Sequence, residues 1–209
     1  MVAIPSGDFA LEAEAQLFPG APGVVLCHPH PAFGGRMDTP LVTALAAALA
    51  GAGLSTVRFN FRGTGGSGGI ATGGHVEHED VRAAAAWLRS TGAPRVALCG
   101  YSFGALMAMR AVARGEPVTA AVAIALPTTL VDGDPDRVAE LERALARGPA
   151  WLLIHGDQDS FCDAARVAAW ATAAPNARIA LLPGQGHFFA GAALDDLTAR
   201  VRSFLGDVL

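Results

Sequence analysis

Two segments of this 209-residue chain fit G-x-S-x-G, the pattern that displays a nucleophilic serine on a sharp strand-to-helix turn. They are Gly65-Gly66-Ser67-Gly68-Gly69 and Gly100-Tyr101-Ser102-Phe103-Gly104. A hydroxyl needs a base to take its proton, and the base needs an acid to orient it. Both follow downstream. The run W-L-L-I-H leads into Gly156-Asp157-Gln158-Asp159, and R-I-A-L-L-P leads into Gly184-Gln185-Gly186-His187-Phe188-Phe189. Serine, acid, histidine is one of the chain orders in which such triads are built. The chemistry this set allows is acyl transfer through a covalent serine ester.

The surroundings choose between the serines. Ser102 follows the apolar run R-V-A-L-C and precedes A-L-M-A-M-R-A-V-A, a strand and a helix separated by a turn. The helix start offers the backbone N–H of Phe103 to a developing oxyanion. Around Ser67 no helix begins until near Glu77, and the adjoining glycines pin nothing. Ser102 is therefore the expected nucleophile, and Ser67 belongs to a flexible loop at the rim of the site. His187 is the expected base. Asp157 and Asp159 compete for the acid; Asp159 is favoured because the extra residues let its carboxylate turn back toward the histidine loop. A second oxyanion donor is expected in His28-Pro29-His30-Pro31-Ala32-Phe33-Gly34-Gly35. The prolines have no N–H, which leaves His30 first and Phe33 behind it.

Other patterns have plainer explanations. Gly63-Thr64-Gly65-Gly66-Ser67-Gly68 fits G-x-G-x-x-G, but the helix a dinucleotide site requires does not follow. His28 with His30, and His75 with His78, lack further ligands at metal spacing. Glu77, Glu79 and Asp80 suit a helix N-terminus, and an ion pair from Arg58 or Arg62 to one of these acids is expected. His155 reads as a hydrogen-bonded core residue. No cofactor and no metal is expected.

These residues need a frame. Short apolar runs at Gly23–Cys27, Leu54–Phe59, Arg95–Leu98, Ala120–Leu126, Ala150–Ile154 and Ala177–Leu182 alternate with helical stretches. Little polar alternation within a run indicates strands buried on both faces, hence a mainly parallel sheet with helices on both sides. Asp8–Phe18 does alternate, and reads as a half-exposed antiparallel strand at a sheet edge. The fold class is α/β, doubly wound, a single domain over residues 1–209, with site residues just past the carboxyl ends of strands.

A hydrophobic content of 52% and a charged content of 16% suit a compact chain with much buried surface. A net charge of -4 without any Lys/Arg cluster gives no footprint for nucleic acid. The longest apolar stretch, Leu41 to Leu54, is too short to span a bilayer, and the N-terminus lacks a signal-peptide pattern. Three widely spaced cysteines make neither a disulfide framework nor a zinc signature. A cytoplasmic setting without a membrane partner is the expectation. Oligomeric state is left open, a homodimer included.

H-P-H-P-A-F-G-G-R-M-D, R-F-N-F-R-G-T-G-G-S-G-G, G-Y-S-F-G-A, H-G-D-Q-D and G-H-F-F, in that order, resemble the small bacterial α/β-hydrolases related to dienelactone hydrolase. The resemblance runs through nearly the whole chain from Val24. It implies Ser102, Asp159 and His187 as triad, Phe103 and the His30 region as oxyanion hole, and a branch without a lid. Dienelactone hydrolase itself uses a cysteine nucleophile, so a serine here sets its particular substrate aside. Ser160-Phe161-Cys162 also departs from the small aliphatics and proline more usual in that loop. Pro127 to Pro149 has room for one helix and a turn, too little for a cap domain. The cleft is then open, with Phe33, Tyr101, Phe103, Phe161, Phe188 and Phe189 as apolar walls and Arg36 placed to meet a substrate carboxylate. A small-molecule ester is the expected substrate, with a thioester, or a binding role without catalysis, as alternatives.

Overall fold

The computed structural model describes residues 1–209, apart from the side chain of Arg147. Eight strands form one sheet in the order β1-β2-β4-β3-β5-β6-β7-β8. They are β1 (Val2–Ser6), β2 (Phe9–Gln16), β3 (Gly23–Cys27), β4 (Ser55–Phe59), β5 (Val96–Tyr101), β6 (Ala120–Ile124), β7 (Ala150–Gly156) and β8 (Ala177–Leu182). Pairing is parallel from β4 through β8, while β1–β2 and β2–β4 are antiparallel. Six helices fill the connections: α1 (Pro40–Gly51), α2 (His78–Ser90), α3 (Phe103–Ala113), α4 (Pro135–Arg147), α5 (Ala164–Ala173) and α6 (Ala192–Val208).

Two apolar layers sandwich the sheet, and strand periodicity sorts side chains between them. In β3, Val24 and Leu26 pack with Leu41, Leu45 and Leu49 of α1 and Val201 of α6. Val25 and Cys27 point the other way, into the cluster holding Val81 and Leu88 of α2 and most of α3. Helix α3 is buried along nearly its whole length, as a helix apolar all round must be. Its one charge, Arg110, is buried against Glu140 of α4 with Nε to carboxylate at 2.9 Å. Because α4 packs on α3 in this layer, the interval between β6 and β7 supplies no cap over the sheet.

One expectation is corrected. The alternating segment is β2, with Leu11 and Ala13 buried between exposed or half-buried neighbours, but it is not the edge. V-A-I-P-S forms β1 outside it, joined by a two-residue hairpin at Gly7-Asp8. Pro5 is tolerated there because an edge strand has one ladder side unpaired. None of the described helices is long and apolar enough to cross a membrane.

Candidate functional site

Strand β5 stops at Tyr101 and α3 begins at Phe103, so Ser102 alone makes the turn, with φ 55° and ψ −116°. A non-glycine residue in this region is strained, by about 1–3 kcal/mol, and is held only by its surroundings. Two glycines provide them. A Cβ on Gly100 would lie 2.3 Å from the carbonyl oxygen of Gly104, and one on Gly104 would lie 2.2 Å from that of Cys27. The N–H of Ser102 is tied to the Ile124 carbonyl at 2.8 Å. The chain has no slack there, and the hydroxyl is presented at the carboxyl end of the central strands.

His187 Nε2 lies 2.9 Å from Ser102 Oγ, and His187 Nδ1 lies 2.8 Å from Asp159 Oδ2. The other carboxylate oxygen of Asp159 accepts the Phe161 N–H at 2.8 Å. Asp157 faces elsewhere: it accepts the Gly184 N–H at 2.7 Å and braces the histidine loop from below. Close approach of the two loops requires Gly156, where a Cβ would meet the Gln185 carbonyl oxygen at 2.0 Å.

The loop after β3 lies against the other side of Ser102. The His30 ring packs tilted against Phe103, with ring centroids 4.7 Å apart and planes at 57°. The Phe33 N–H is taken by the His30 carbonyl, which removes it as an oxyanion donor. Among the described hydrogen bonds the backbone N–H groups of His30 and Phe103 have no protein acceptor. His28 is fully used: Nδ1–H donates to Pro29 O at 2.6 Å and Nε2 accepts the Phe61 N–H at 3.1 Å. Burial pushes its pKa down to about 4. No cluster of three or more metal-ligating side chains occurs among the described residues.

A match to the family model described as "Alpha/beta hydrolase domain" covers residues 22–202. The chain belongs to this family. An alpha-beta serine hydrolase homologue from Coxiella burnetii is 30% identical, with 98% of this chain and 96% of that one covered and a TM-score of 0.83. An a/b serine hydrolase without lid from Xanthomonas campestris is 32% identical over 100% of this chain and 94% of that one, TM-score 0.78. An uncharacterized protein of Rickettsia prowazekii is 36% identical over 115 residues, 54% of this chain and 48% of its own length. The matched segment therefore spans about half of that relative. This chain is a hydrolase-family member whose structural relatives are serine hydrolases.

Within this α/β-hydrolase fold several expected placements change. The loop containing Ser67 is not free. Ser67 Oγ donates to the Asn60 carbonyl at 2.6 Å and accepts the Glu12 N–H at 2.9 Å. Glu12 reaches into the glycines and accepts from Gly66 N–H at 2.7 Å and Asn60 Nδ2 at 2.6 Å. Those bonds, the Gly66 amide foremost, lower the Glu12 pKa. A carboxylate of the chain itself thus fills the place a phosphate would need. The Phe103 ring is no pocket wall; it is buried among Phe61, His30 and Met107. Arg36 lies on the far side of the 31–35 loop, in a depression shared with Gly63, Thr64 and Gly65, and its nearest acid is Asp38 at 3.6 Å. Arg62 makes the expected ion pair, bidentate to buried Asp80 with a closest approach of 2.6 Å; Arg58 pairs with Glu14 instead. Glu77 is held by Thr72 and Gly74: burial pushes its carboxyl up, but those hydrogen bonds outweigh it and leave the pKa lowered.

Two supports join partners that the sequence does not pair, although His155 is the hydrogen-bonded core residue that its sequence position predicts. Tyr101 is almost buried, and its hydroxyl donates to the His187 carbonyl at 2.9 Å, tying the residue before Ser102 to the histidine loop. Cys162 Sγ meets His155 Nδ1 at 2.9 Å, closing the loop that carries Asp159 back onto β7. Burial pushes the Cys162 thiol up to about 12 and His155 down to about 4. Both are neutral near pH 7, so the clamp adds no charge beside Asp159. Each is a contact between residues whose types alone suggest only core packing.

Proposed function

We propose that the protein hydrolyses carboxylic esters through an acyl-enzyme on Ser102. The observation that carries this reading is the unbroken hydrogen-bond chain from Ser102 Oγ through His187 to Asp159, at 2.9 and 2.8 Å. His187 Nε2 takes the hydroxyl proton as Oγ bonds to the substrate carbonyl carbon, while Asp159 holds the Nδ1–H and stabilises the imidazolium. The N–H groups of Phe103 and His30 receive the oxyanion, where a preorganised donor is worth a few kcal/mol. Collapse of the tetrahedral species re-forms the C=O and breaks the bond from the acyl carbon to the alkoxy oxygen, and His187 passes its proton to the departing alcohol. Water then attacks the acyl-enzyme by the same route, giving the carboxylic acid and restoring Ser102–OH. Small-molecule esters are the proposed substrates, since the interval between β6 and β7 supplies no cap domain.

Labelling with a fluorophosphonate, followed by peptide mass spectrometry, tests this reading. A label on Ser102 in wild type that is absent in Ser102→Ala, together with turnover of simple esters, is the expected result. Folded protein that takes no label and turns over neither esters nor thioesters would make the fold a binding scaffold.

A further inference from the structure

Phe33 and Phe188 are 88% and 77% exposed, an unusual setting for rings whose burial is worth about 1.5–3 kcal/mol each. They stand at a groove of about 250 Å³ floored by Leu41, Tyr101 and Phe189, all nearly buried. Two of its residues adjoin the triad in the chain, although no triad side chain itself lines the groove: Tyr101 immediately precedes Ser102, and Phe188 immediately follows His187, with the His187 and Phe188 ring centroids 5.3 Å apart. None of the side chains lining it is charged. Arg36, which closes the same loop, lines the separate depression beyond it. An anionic group in the groove would lose water and gain no cationic partner.

We infer that the substrate's acyl group is short, apolar and uncharged, and that it lies in this groove between Phe33 and Phe188. The inference rests on the ester-hydrolase reading above. Size follows from the volume. The groove is below the ~300–1,000 Å³ of pockets for drug-sized ligands, and at ~30 Å³ per water-sized unit it holds about eight heavy atoms. The acyl side is assigned because that group stays bonded to Ser102 through both steps. The alcohol must instead leave past His187 before water can enter. An apolar groove one residue along the chain from Ser102 and from His187 serves the part that stays.

The test is kcat/KM over p-nitrophenyl esters from acetate to dodecanoate, over acetates of lengthening alcohols, and for the hydrogen succinate ester against the pentanoate. Wild type is expected to gain roughly two- to fourfold per methylene up to hexanoate or octanoate and then stop. It should disfavour the succinate at least tenfold. Phe188→Ala and Phe33→Ala, both at exposed positions that leave the core intact, should each lower the hexanoate-to-acetate ratio about three- to tenfold. Ile70→Ala, also exposed but outside the groove, should keep the wild-type ratio. Hydrolysis without an acyl-length trend, a trend on the alcohol side only, or equal use of the succinate would overturn this inference and leave the ester reading standing. Absence of both turnover and Ser102 labelling would overturn the two together.

Discussion

The segments 65–69 and 100–104 share one sequence pattern and have opposite fates. In the second, glycines are required by backbone: Cβ atoms at 100 and 104 would strike main-chain carbonyls at 2.3 and 2.2 Å. The serine between them is forced to positive φ, and its hydroxyl has His187 as its partner. In the first, the glycines at 65 and 69 have positive φ, and what a Cβ would meet is side chain rather than backbone: Asn60 and Glu12 at 65, Phe9 at 69, and Glu12 at 3.1 Å from 66. Ser67 spends its hydroxyl on two backbone groups, as donor to one and acceptor to the other. One loop is shaped by packing against the central strands and leaves its hydroxyl to a base. The other is sewn to a neighbouring strand by polar bonds and has nothing left to offer. Four experiments would break or sharpen this contrast.

The largest effect is expected on activity at the two serines. Ser102→Ala should lose at least roughly 10³-fold in kcat, whereas Ser67→Ala should stay within about threefold of wild type. Steady-state ester kinetics decide it, and a comparable loss at Ser67 would assign the nucleophile to the wrong loop. The paired acids come next. Asp159→Asn should cost about 10²–10⁴-fold in kcat, because the imidazole loses its orienting acceptor and adopts the wrong tautomer. Asp157→Asn, which weakens only a bond to the Gly184 amide, should cost less than tenfold.

The glycines then separate by thermal unfolding. Gly104→Ala forces a backbone shift against Cys27 and should lower stability by about 3 kcal/mol or more. Gly66→Ala, whose neighbours are the movable carboxylate atoms of Glu12, should cost about 1 kcal/mol or less. Equal losses would remove the distinction between a packed turn and a sewn one.

The smallest effect is a pH dependence confined to the first loop. The Glu12 pKa is lowered in the folded state, chiefly by the Gly66 amide. Its contribution is therefore complete above the unfolded carboxyl value and is lost as pH falls through the folded one. Amide exchange at residues 65–69 should accelerate, after correction for intrinsic rates, as pH falls below the unfolded carboxyl value and through the lowered folded one. The Ser102 amide, bonded to Ile124, should keep its protection, and Glu12→Gln should abolish the pH dependence. Unchanged protection in wild type would mean that packing, not the carboxylate, holds the glycines.

Much of the frame was legible because apolar runs and helical stretches repeat along the chain. The centre of the sheet reads clearly: G-V-V-L-C is buried on both faces and shows no polar alternation. The edge reads poorly. V-A-I-P-S is five residues with a proline, too short for a period to show, so the sequence pattern places β2 at the edge. The flexible-rim reading of residues 65–69 failed for a similar reason: glycine content reports conformational freedom, while the bonds that remove it come from Glu12, more than fifty residues away.

By itself the sequence determined the fold class, the strand-to-helix turn at Ser102 and the placement of acidic residues and a histidine after later strands. These follow from local periodicity and from the backbone freedom of glycine, which neighbours along the chain decide. Only the tertiary structure decided that Asp159 and not Asp157 faces His187, that Arg36 lies beyond the 31–35 loop, and that Tyr101 and the His155–Cys162 pair brace the site. Those outcomes depend on how loops from different strands cross at the sheet's carboxyl edge. There a displacement of one or two residues changes which carboxylate reaches the imidazole; the loop length favours Asp159, but only the crossing of the loops fixes it.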